Sequence, residues 1–149
     1  MRHGNRWMIA LLLLACLQLA ACTQKSAGAA SKVEPAKVEH VEASDLSRIT
    51  LTGQAAKRLG IQTTAVRDAS VGGKQRKVIP YAAVIYDPEG KTWTYTSPEP
   101  LVFVRHAISI DQIQGDQAIL SDGPPSGTAV VTVGVAELFG TEVGIGGGH

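Results

Sequence analysis

The sequence contains few cysteines, methionines and aromatic residues, and these shortages exclude whole classes of protein. Among 149 residues there are 2 cysteines and 2 methionines, and the aromatic fraction is 5%. A disulfide-rich scaffold is therefore excluded. Lysine and arginine number 14 against 13 acidic residues, so the chain lacks the basic excess of a nucleic-acid-binding protein. We expect no nucleic-acid partner.

The sequence also lacks a long hydrophobic run, since a membrane-spanning helix needs about 20 apolar residues. Its main apolar stretch, residues 7–17, follows Arg2 and Arg6 and precedes small residues that end at Cys22. A basic start, a short apolar core and small residues at the end are typical of a secretory signal peptide. We therefore predict that residues 1–21 are a signal peptide and that the protein is extracytoplasmic.

The residues Leu19-Ala20-Ala21-Cys22 resemble the lipobox of bacterial lipoproteins. The resemblance implies cleavage before Cys22, a diacylglycerol on its thiol, and acylation of its new amino group by a fatty acid such as palmitate. Membrane lipid would then anchor the protein, because two acyl chains give stable attachment. The alternative is an ordinary signal peptide that is cut nearby, with Cys22 incidental.

The anchor would place the protein in the cell envelope, in the periplasm or at the cell surface. Thr23 follows the cysteine instead of the aspartate that retains some lipoproteins at an inner membrane, so an outer-membrane location is allowed. Cys16 would leave with the signal peptide, and the mature chain would then form no disulfide.

Residues 22–48 are predicted to be a lipidated, disordered tether. They are polar and small, contain no aromatic residue and show no apolar face. The 26 residues from 23 to 48 would span ~25–30 Å as a coil and at most ~90 Å when stretched. His40 is interpreted as a solvated residue within this tether.

Residues 49–139 are predicted to form a mainly β domain, and residues 140–149 a glycine-rich flexible tail. Valine, isoleucine and threonine are frequent here, and turns of Pro, Gly and Asp separate the short runs. The pattern predicts a small antiparallel domain, barrel-like or sandwich-like, with one short helix over residues 53–59. Thr52 is the predicted N-cap, and Gly60 is placed to end the helix.

Residues 67–77 are basic and contain glycine, so we predict an exposed connection there. Its cations, Lys74, Arg76 and Lys77, are interpreted as a solvated loop; contact with an acidic lipid or partner is the alternative. Beyond it, strands are predicted over residues 117–121 and 128–134, and one helical turn over residues 135–139.

The clearest hairpin joins residues 81–87 to residues 91–97 through a turn at Pro88 and Gly90. Pro88 fits the second turn position, and Gly90 fits the left-handed position that closes the loop. Alternate residues of the second strand share a face, which groups three threonines opposite two aromatic residues: Thr92, Thr94 and Thr96, then Trp93 and Tyr95. The aromatic pair is expected to fill core, with a sugar-stacking platform as the alternative.

Residues 101–110 are predicted to form the longest strand. His106 shares its parity with Val102, Val104 and Ile108, although a bulge near Arg105 could reverse that parity. We therefore expect His106 to be partly buried and hydrogen-bonded. A pH switch or a metal ligand is the alternative, and the C-terminal His149 is a second weak metal candidate.

Two stretches resemble one known family when the turns and strand residues are taken in order. The residues that carry the resemblance are Ile79-Pro80, Ala83-Val84, Asp87, Gly90, Phe103-Val104-Arg105, residues 108–111, Gly115-Asp116, Asp122-Gly123, residues 127–134 and Glu137-Leu138. Their order resembles the membrane-proximal domain of periplasmic adaptor proteins, also called membrane fusion proteins, of efflux systems. Residues 49–66 are similar to the opening strand and short helix of the adaptors' β-barrel domain.

The chain departs from that family where residues 67–77 alone connect the two stretches. The family has a lipoyl-like domain and a long helical hairpin there. Pro124 also stands where the family has an aliphatic residue. The resemblance therefore implies a module that rests on a transporter permease but does not reach an outer-membrane channel.

No catalytic motif is present, and we predict that the protein is not an enzyme and has no cofactor. There is no phosphate loop, HExxH, CxxC or nucleophile elbow. A zinc site needs three or four converging ligands, whereas His40, His106 and His149 lie in predicted tether, strand and tail. Met1 and Met8 lie in the signal peptide, which leaves no methionine for copper or silver in the mature chain.

Two functions remain open. The first is a lipid-anchored accessory module that docks on a membrane transporter or another envelope protein. The second is a ligand- or metal-binding envelope lipoprotein that uses a site near Trp93, Tyr95 and His106.

Overall fold

The computed structural model describes residues 34–144, apart from Ala43 and Asp45, and these residues form a mainly β structure as predicted. The proposed signal peptide, Cys22 and His149 lie outside the described residues. Within the described part there are two helices, α1 (Gly53–Leu59) and α2 (Val135–Glu142), and a 3₁₀ helix (Tyr81–Ala83). Neither α-helix is long and apolar enough to cross a membrane.

The strands, in chain order, are β1 (Ala36–His40), β2 (Ser47–Leu51), β3 (Gln62–Ala65), β4 (Arg67–Val71), β5 (Lys74–Pro80), β6 (Ile85–Tyr86), β7 (Thr92–Glu99), β8 (Val102–Ala107), β9 (Ser109–Gln114), β10 (Gln117–Asp122) and β11 (Ala129–Val133). They form two sheets in which every pair is antiparallel. The first sheet has the order β1-β2-β8-β7-β11-β3, with β6 also paired to β7, and the second has the order β4-β5-β10-β9. The sheets are sandwich-like, and those of the described part do not close into a barrel.

Buried side chains form one cluster between the helices and the first sheet. The sheet contributes Ile49, Leu51, Tyr95, Phe103 and Val131, and the helices contribute Ala55, Val135 and Leu138. Burial of this apolar surface is the main favourable contribution to folding of these layers.

A second cluster packs against the second sheet. It consists of Val66, Ile79, Ala83, Ile108, Ala118, Leu120 and Val130. Both clusters contain residues from before and after residue 70. The two stretches of sequence therefore fold around a common core.

Helix α1 follows its sequence pattern closely. The side chain of Thr52 accepts a hydrogen bond from the backbone N–H of Ala55 (3.1 Å), as an N-cap should. Gly60 ends the helix in the left-handed conformation (φ 64°). Ala55 is buried against the first sheet, so a seven-residue helix is held by packing rather than by its own propensity.

The structure differs from the prediction at both ends of the domain. Residues 36–40, predicted to be tether, form β1, which pairs along its length with β2 from Ala36–Leu51 to His40–Ser47. At the other end, α2 continues to Glu142, where the flexible tail had been predicted from residue 140. The domain therefore has two α-helices instead of one.

Residues 67–77 are largely exposed, as predicted, but they form the hairpin of β4 and β5 instead of a loop. The register runs from Arg67–Val78 to Val71–Lys74. Two of its cations bond within the fold: the amine of Lys77 donates to the carbonyl of Gly123 (2.6 Å), and Arg76 pairs with Asp111 (3.6 Å). Gly72 and Gly73, both with positive φ (59° and 76°), form the two-residue turn that makes this segment a hairpin.

The hairpin around Gly90 is confirmed, although its first strand is short. β6 pairs with β7 through Ile85–Trp93 and Tyr86–Thr92. Gly90 has the expected left-handed backbone (φ 79°). Pro124, in the turn after β10, is fully buried.

Candidate functional site

A groove of about 290 Å³ lies between the 87–91 turn, strands β7 and β8, and the end of α2. Its apolar lining comes from Leu46, Pro88, Trp93, Phe139 and Val143. Concave surfaces with aromatic walls are where proteins bind small molecules and apolar side chains of partners. This groove is therefore the best candidate for a site in the described part of the chain.

Asp87 fixes the turn and the indole ring on one side of the groove. Its Oδ1 accepts from the backbone N–H groups of Glu89 (3.1 Å) and Lys91 (2.8 Å), and its Oδ2 accepts from Nε1 of Trp93 (2.9 Å). Desolvation raises the pKa of Asp87, but these hydrogen bonds outweigh it and hold the pKa below the usual value. The carboxylate is thus kept ionised as the support of Trp93.

Arg105 lies between two aromatic rings at the base of the groove. Its guanidinium carbon is 4.5 Å from the ring centroid of Trp93 and 5.8 Å from that of Phe139. Both distances are within the range of cation–π attraction. Arg105, on β8, therefore contacts both the ring of Trp93 on β7 and the ring of Phe139 on α2.

Glu142, on the last turn of α2, neutralises Arg105. Nε of Arg105 lies 3.1 Å from both carboxylate oxygens, and the Glu142 side chain is 4% exposed. The hydroxyl of Tyr95 donates a hydrogen bond to the same carboxylate. Burial raises the pKa of Tyr95, and the hydrogen bond to Glu142 raises it further, so Tyr95 remains a neutral donor.

Of the four charged residues that line the groove, Asp87 and Arg105 bond within the fold. Glu89 and Lys91 are exposed and place charges at its rim. Glu142 accepts from both Arg105 and Tyr95, and Asp87 bonds to its own turn and to Trp93. Within residues 34–144, no group of three or more His, Cys, Asp and Glu side chains could hold a metal ion. The geometry is suited to holding an apolar group.

A second, more open cleft of about 310 Å³ is lined by residues of β6, β11 and the start of α2. Ala82, Val84, Ile85 and Val135 contribute apolar lining. Tyr86, half exposed, is hydrogen-bonded to the side chain of Tyr81; this bond raises the pKa of Tyr86, and desolvation raises it further. The cleft lacks the fixed aromatic wall and buried ion pair of the groove.

The structure separates the residues that the sequence had grouped as a ligand site. Tyr95 is fully buried in the core and Trp93 is half-buried beside the groove, so the prediction that the aromatic pair fills core is confirmed for Tyr95. His106 pairs with Thr94 in β8–β7, whereas Tyr95 pairs with Arg105. Since successive residues of a strand point to opposite faces, His106 lies on the face opposite Trp93.

The expected burial of His106 is also wrong, because the residue is exposed. β8 is covered on both faces near Val102 and Phe103, so the spacing of its apolar residues does not identify one buried face. His106 remains a surface histidine. The other weak metal candidate, His149, and the predicted lipidation site, Cys22, lie outside the described residues.

The sequence reasoning missed Arg105 and Glu142 as a pair, since they are 37 positions apart. A helical pattern in the tail could have found Glu142. Val135, Leu138, Phe139 and Glu142 recur at spacings of three and four, which place them on one helix face. Gly140 obscured this pattern, because glycine weakens a predicted helix.

A solved structure that is similar to part of the chain is the NMR structure of a 180-residue segment of SilB from Cupriavidus metallidurans CH34. That segment encompasses the N-terminal metal-binding site and the membrane-proximal domain of SilB. The sequences are 22% identical, the TM-score is 0.44, and the similarity covers 52% of this chain and 42% of the other. The chain thus spans less than half of that structure, and these values leave its function to be argued from its own residues.

No protein-family model matches the chain, and no curated protein sequence matches it.

Proposed function

We propose that the protein is a lipid-anchored, non-catalytic accessory module that docks on a membrane transporter of the efflux type or on another envelope protein. The anchor is Cys22, and the docking unit is the β domain. In this proposal the protein corresponds to the transporter-facing part of an adaptor and lacks the lipoyl-like domain and helical hairpin that would reach a channel.

The observation that supports this function most directly is the common core of the two adaptor-like stretches. Ile49 and Leu51 from the first stretch pack with Phe103 and Val131 from the second. Val66 packs with residues of the second stretch in the other cluster. The deletion between the stretches is bridged by the β4–β5 hairpin, which continues the second sheet. A shortened adaptor needs this continuity to fold.

The polar network around Arg105 favours a structural role over a catalytic one. The carboxylate of Glu142 already accepts from the hydroxyl of Tyr95 and from Nε of Arg105. General acid–base catalysis requires a titratable group within hydrogen-bond reach of a substrate. Because the carboxylate of Glu142 is buried and bonded to Arg105 and Tyr95, it is not free for that role.

Site-specific photocrosslinking in membranes of the native host tests the docking function. A crosslinking amino acid is placed at Tyr86, 50% exposed on the first sheet, or at Ile113, 45% exposed on the second. We expect one of the two positions to crosslink to an integral membrane permease, because a docked module presents one face to its partner. Failure of both positions to capture a membrane protein would contradict the proposal.

The anchor is tested separately by Cys22→Ala. The variant should accumulate as an unlipidated precursor, and its crosslink should weaken because the domain is no longer held at the membrane. Cys16→Ala is the matched control, since Cys16 lies in the predicted signal peptide and should leave lipidation unchanged. A lipidated product of mature size from Cys22→Ala would refute the anchor.

The groove beside Trp93 favours a second candidate function, the binding of a small apolar ligand in the envelope. Its volume of about 290 Å³ is near the lower end of ligand pockets. Calorimetric titration with short-chain amphiphiles tests it, and the heat of binding should vanish in Trp93→Ala but persist in His106→Ala. Equal heats in both variants would exclude the groove as the binding site.

A further inference from the structure

The outer edge of β1 carries backbone groups that pair with no strand of the described sheets. β1 is the first strand of its sheet, and β2 pairs with it along one side only. An outer strand of this kind presents free N–H and C=O groups to which a strand of another chain can bond. β1 is therefore a place where a second chain can extend the sheet.

The hydrogen bonds at the two ends of the β1–β2 ladder show which residues face outwards. The N–H of Thr52 donates to the carbonyl of Pro35 (3.0 Å), and the N–H of Val41 donates to the carbonyl of Leu46 (2.9 Å). In an antiparallel ladder, residues that bond to the neighbouring strand alternate with residues that do not. Positions 35 and 41 bond to the β2 side, so the residues of β1 that direct their backbone groups away from β2 are Ala36, Val38 and His40.

Two side chains of opposite charge flank Val38. Lys37 and Glu39 lie on one face of β1, both exposed, with Nζ of the lysine 2.8 Å from Oε1 of the glutamate. Val38 lies on the other face, 41% exposed, opposite the fully buried Ile49 of β2. Among the outer strands of the two described sheets (β1, β3, β4 and β9), β1 alone has opposite charges two positions apart.

We propose that β1 pairs antiparallel with β1 of a second copy of this chain, around a two-fold axis at Val38. Val38 then lies opposite Val38 of the partner subunit, and Ala36 lies opposite His40 of the partner subunit. Each such pair exchanges two N–H···O=C bonds, so every outward-facing group of the edge is bonded. The interface is isologous, as in most two-fold dimers, and it does not depend on the docking function proposed above.

The charges select this alignment over its neighbours. With Val38 on the axis, Lys37 lies opposite Glu39 of the partner subunit, and opposite charges in facing positions attract. A shift by two residues would still pair the outward-facing groups, but it would place lysine opposite lysine or glutamate opposite glutamate. A shift by one residue would place the outward-facing groups against groups that already bond to β2. Charged residues commonly protect a sheet edge from pairing, whereas here they favour one alignment with a copy of the same strand.

Disulfide trapping in the purified full chain tests the alignment. Val38→Cys should give a disulfide-linked dimer under mild oxidation, because the facing Cα atoms of such a pair are about 5.5 Å apart, a distance that a disulfide spans. The matched control is Ile113→Cys on the outer strand β9, where the side chain is 45% exposed. It should give no more dimer than the parent chain, whose Cys16 and Cys22 set the background. Equal amounts of dimer from Val38→Cys and Ile113→Cys would overturn the proposal.

Charge reversal tests the contact across the axis. A five-residue edge is a small interface, so the parent chain should dimerise in a concentration-dependent way, which sedimentation of the full chain in detergent measures. Lys37→Glu and Glu39→Lys should each stay monomeric where the parent chain is dimeric, because each variant places like charges face to face. The two residues are exposed, so the fold should tolerate both changes.

An equimolar mixture of the two charge-reversal variants should dimerise again, because an acidic strand then faces a basic one. The pair within each chain stays broken in the mixture, so recovered association reports contacts between chains. A mixture that stays monomeric, or a parent chain that is monomeric at every concentration, would overturn the proposal and leave the edge to a strand of a different protein.

Discussion

Arg105 and Glu142 form a buried ion pair that attaches the C-terminal helix to the first sheet. Nε of Arg105 is 3.1 Å from the carboxylate, and the two side chains are 14% and 4% exposed. Removing one charge from such a pair leaves the other buried without compensation. The pair is therefore expected to matter for stability far more than the surface ion pairs of the domain do.

Glu142→Gln is predicted to lower the free energy of unfolding by about 3 kcal/mol, because Arg105 loses its counter-charge in a buried setting. Urea denaturation measures the change. The control is Glu99→Gln, which removes the exposed pair with Arg48 (side chains 64% and 41% exposed) and should change stability by less than about 0.5 kcal/mol. Similar losses in the two variants would mean that burial does not strengthen the inner pair.

Tyr95→Phe is predicted to change how the free energy of unfolding depends on pH in the alkaline range. The folded pKa of Tyr95 lies above the ordinary value of 10.0. The folded state therefore retains this proton where the unfolded state has lost it, and stability is full below pH 10 and falls as the pH rises above it. Phenylalanine has no hydroxyl to titrate, so the free energy of unfolding should fall less steeply as the pH rises. The substitution should also lower the free energy of unfolding by about 1–2 kcal/mol at neutral pH, because the hydrogen bond to Glu142 is lost.

Unfolding curves in urea at pH 8, 10 and 11 measure both effects. Tyr86→Phe is the control: its pKa is also raised, but its side chain is half exposed, so the change in slope should be smaller. If Tyr95→Phe lost stability with rising pH as steeply as the parent protein, Tyr95 would not be the source of that loss.

Thr94→Val is predicted to stabilise the domain by up to about 1 kcal/mol. Thr94 is fully buried, and its Oγ1 has no hydrogen-bond partner. Replacing an unsatisfied buried hydroxyl by a methyl group of the same shape removes a desolvation cost. The thermal midpoint should rise.

Thr96 provides the contrast on the same face of β7. Its hydroxyl donates to the carbonyl of Val104 (3.0 Å), so Thr96→Val should destabilise by about 1 kcal/mol. If both valine variants shifted the midpoint in the same direction, hydrogen bonding would not be the reason.

Gly134→Ala is predicted to cost more than Gly90→Ala, although both glycines have positive φ (89° and 79°). A Cβ at Gly134 would lie 2.2 Å from Cδ1 of Ile61, whereas Gly90 has open space. We expect losses of about 1 kcal/mol at Gly90 from the backbone and about 2–3 kcal/mol at Gly134, where overpacking adds to it. Chemical denaturation gives both values.

Ile61→Val removes the crowded methyl group and should recover part of the loss in Gly134→Ala. The absence of any recovery would place the cost of that substitution in the backbone alone.

Local features of the fold could be predicted from the sequence because they depend on neighbours in the chain. Thr52 and Gly60 cap α1 through bonds within one turn of helix, and Gly90 closes a turn of four residues. The alternation of threonine and aromatic residues in β7 correctly assigned Tyr95 to the core. The contacts that determine the cap and the turn lie within about ten positions, whereas Tyr95 packs with distant residues such as Ile49 and Leu138.

Features that depend on distant pairing could not be predicted. The hairpin of β4 and β5 is a different case, because its signal is local: Gly72 and Gly73 both have positive φ (59° and 76°), and a Gly-Gly pair between two strands is typical of a two-residue hairpin turn. His106 was misassigned because β8 is covered from both sides. The groove depends on α2 reaching β8 through Glu142, a contact that no local pattern specifies.

β1 also changes how far the proposed anchor lets the domain travel. Pairing of β1 with β2 begins at Ala36, so 13 residues, 23 to 35, separate Cys22 from the sheet, half the 26 expected. Their greatest reach is ~45 Å instead of ~90 Å. In the anchored form proposed above, the volume within this reach would be about eightfold smaller, and a receptor inside that radius would meet the domain at a correspondingly higher effective concentration.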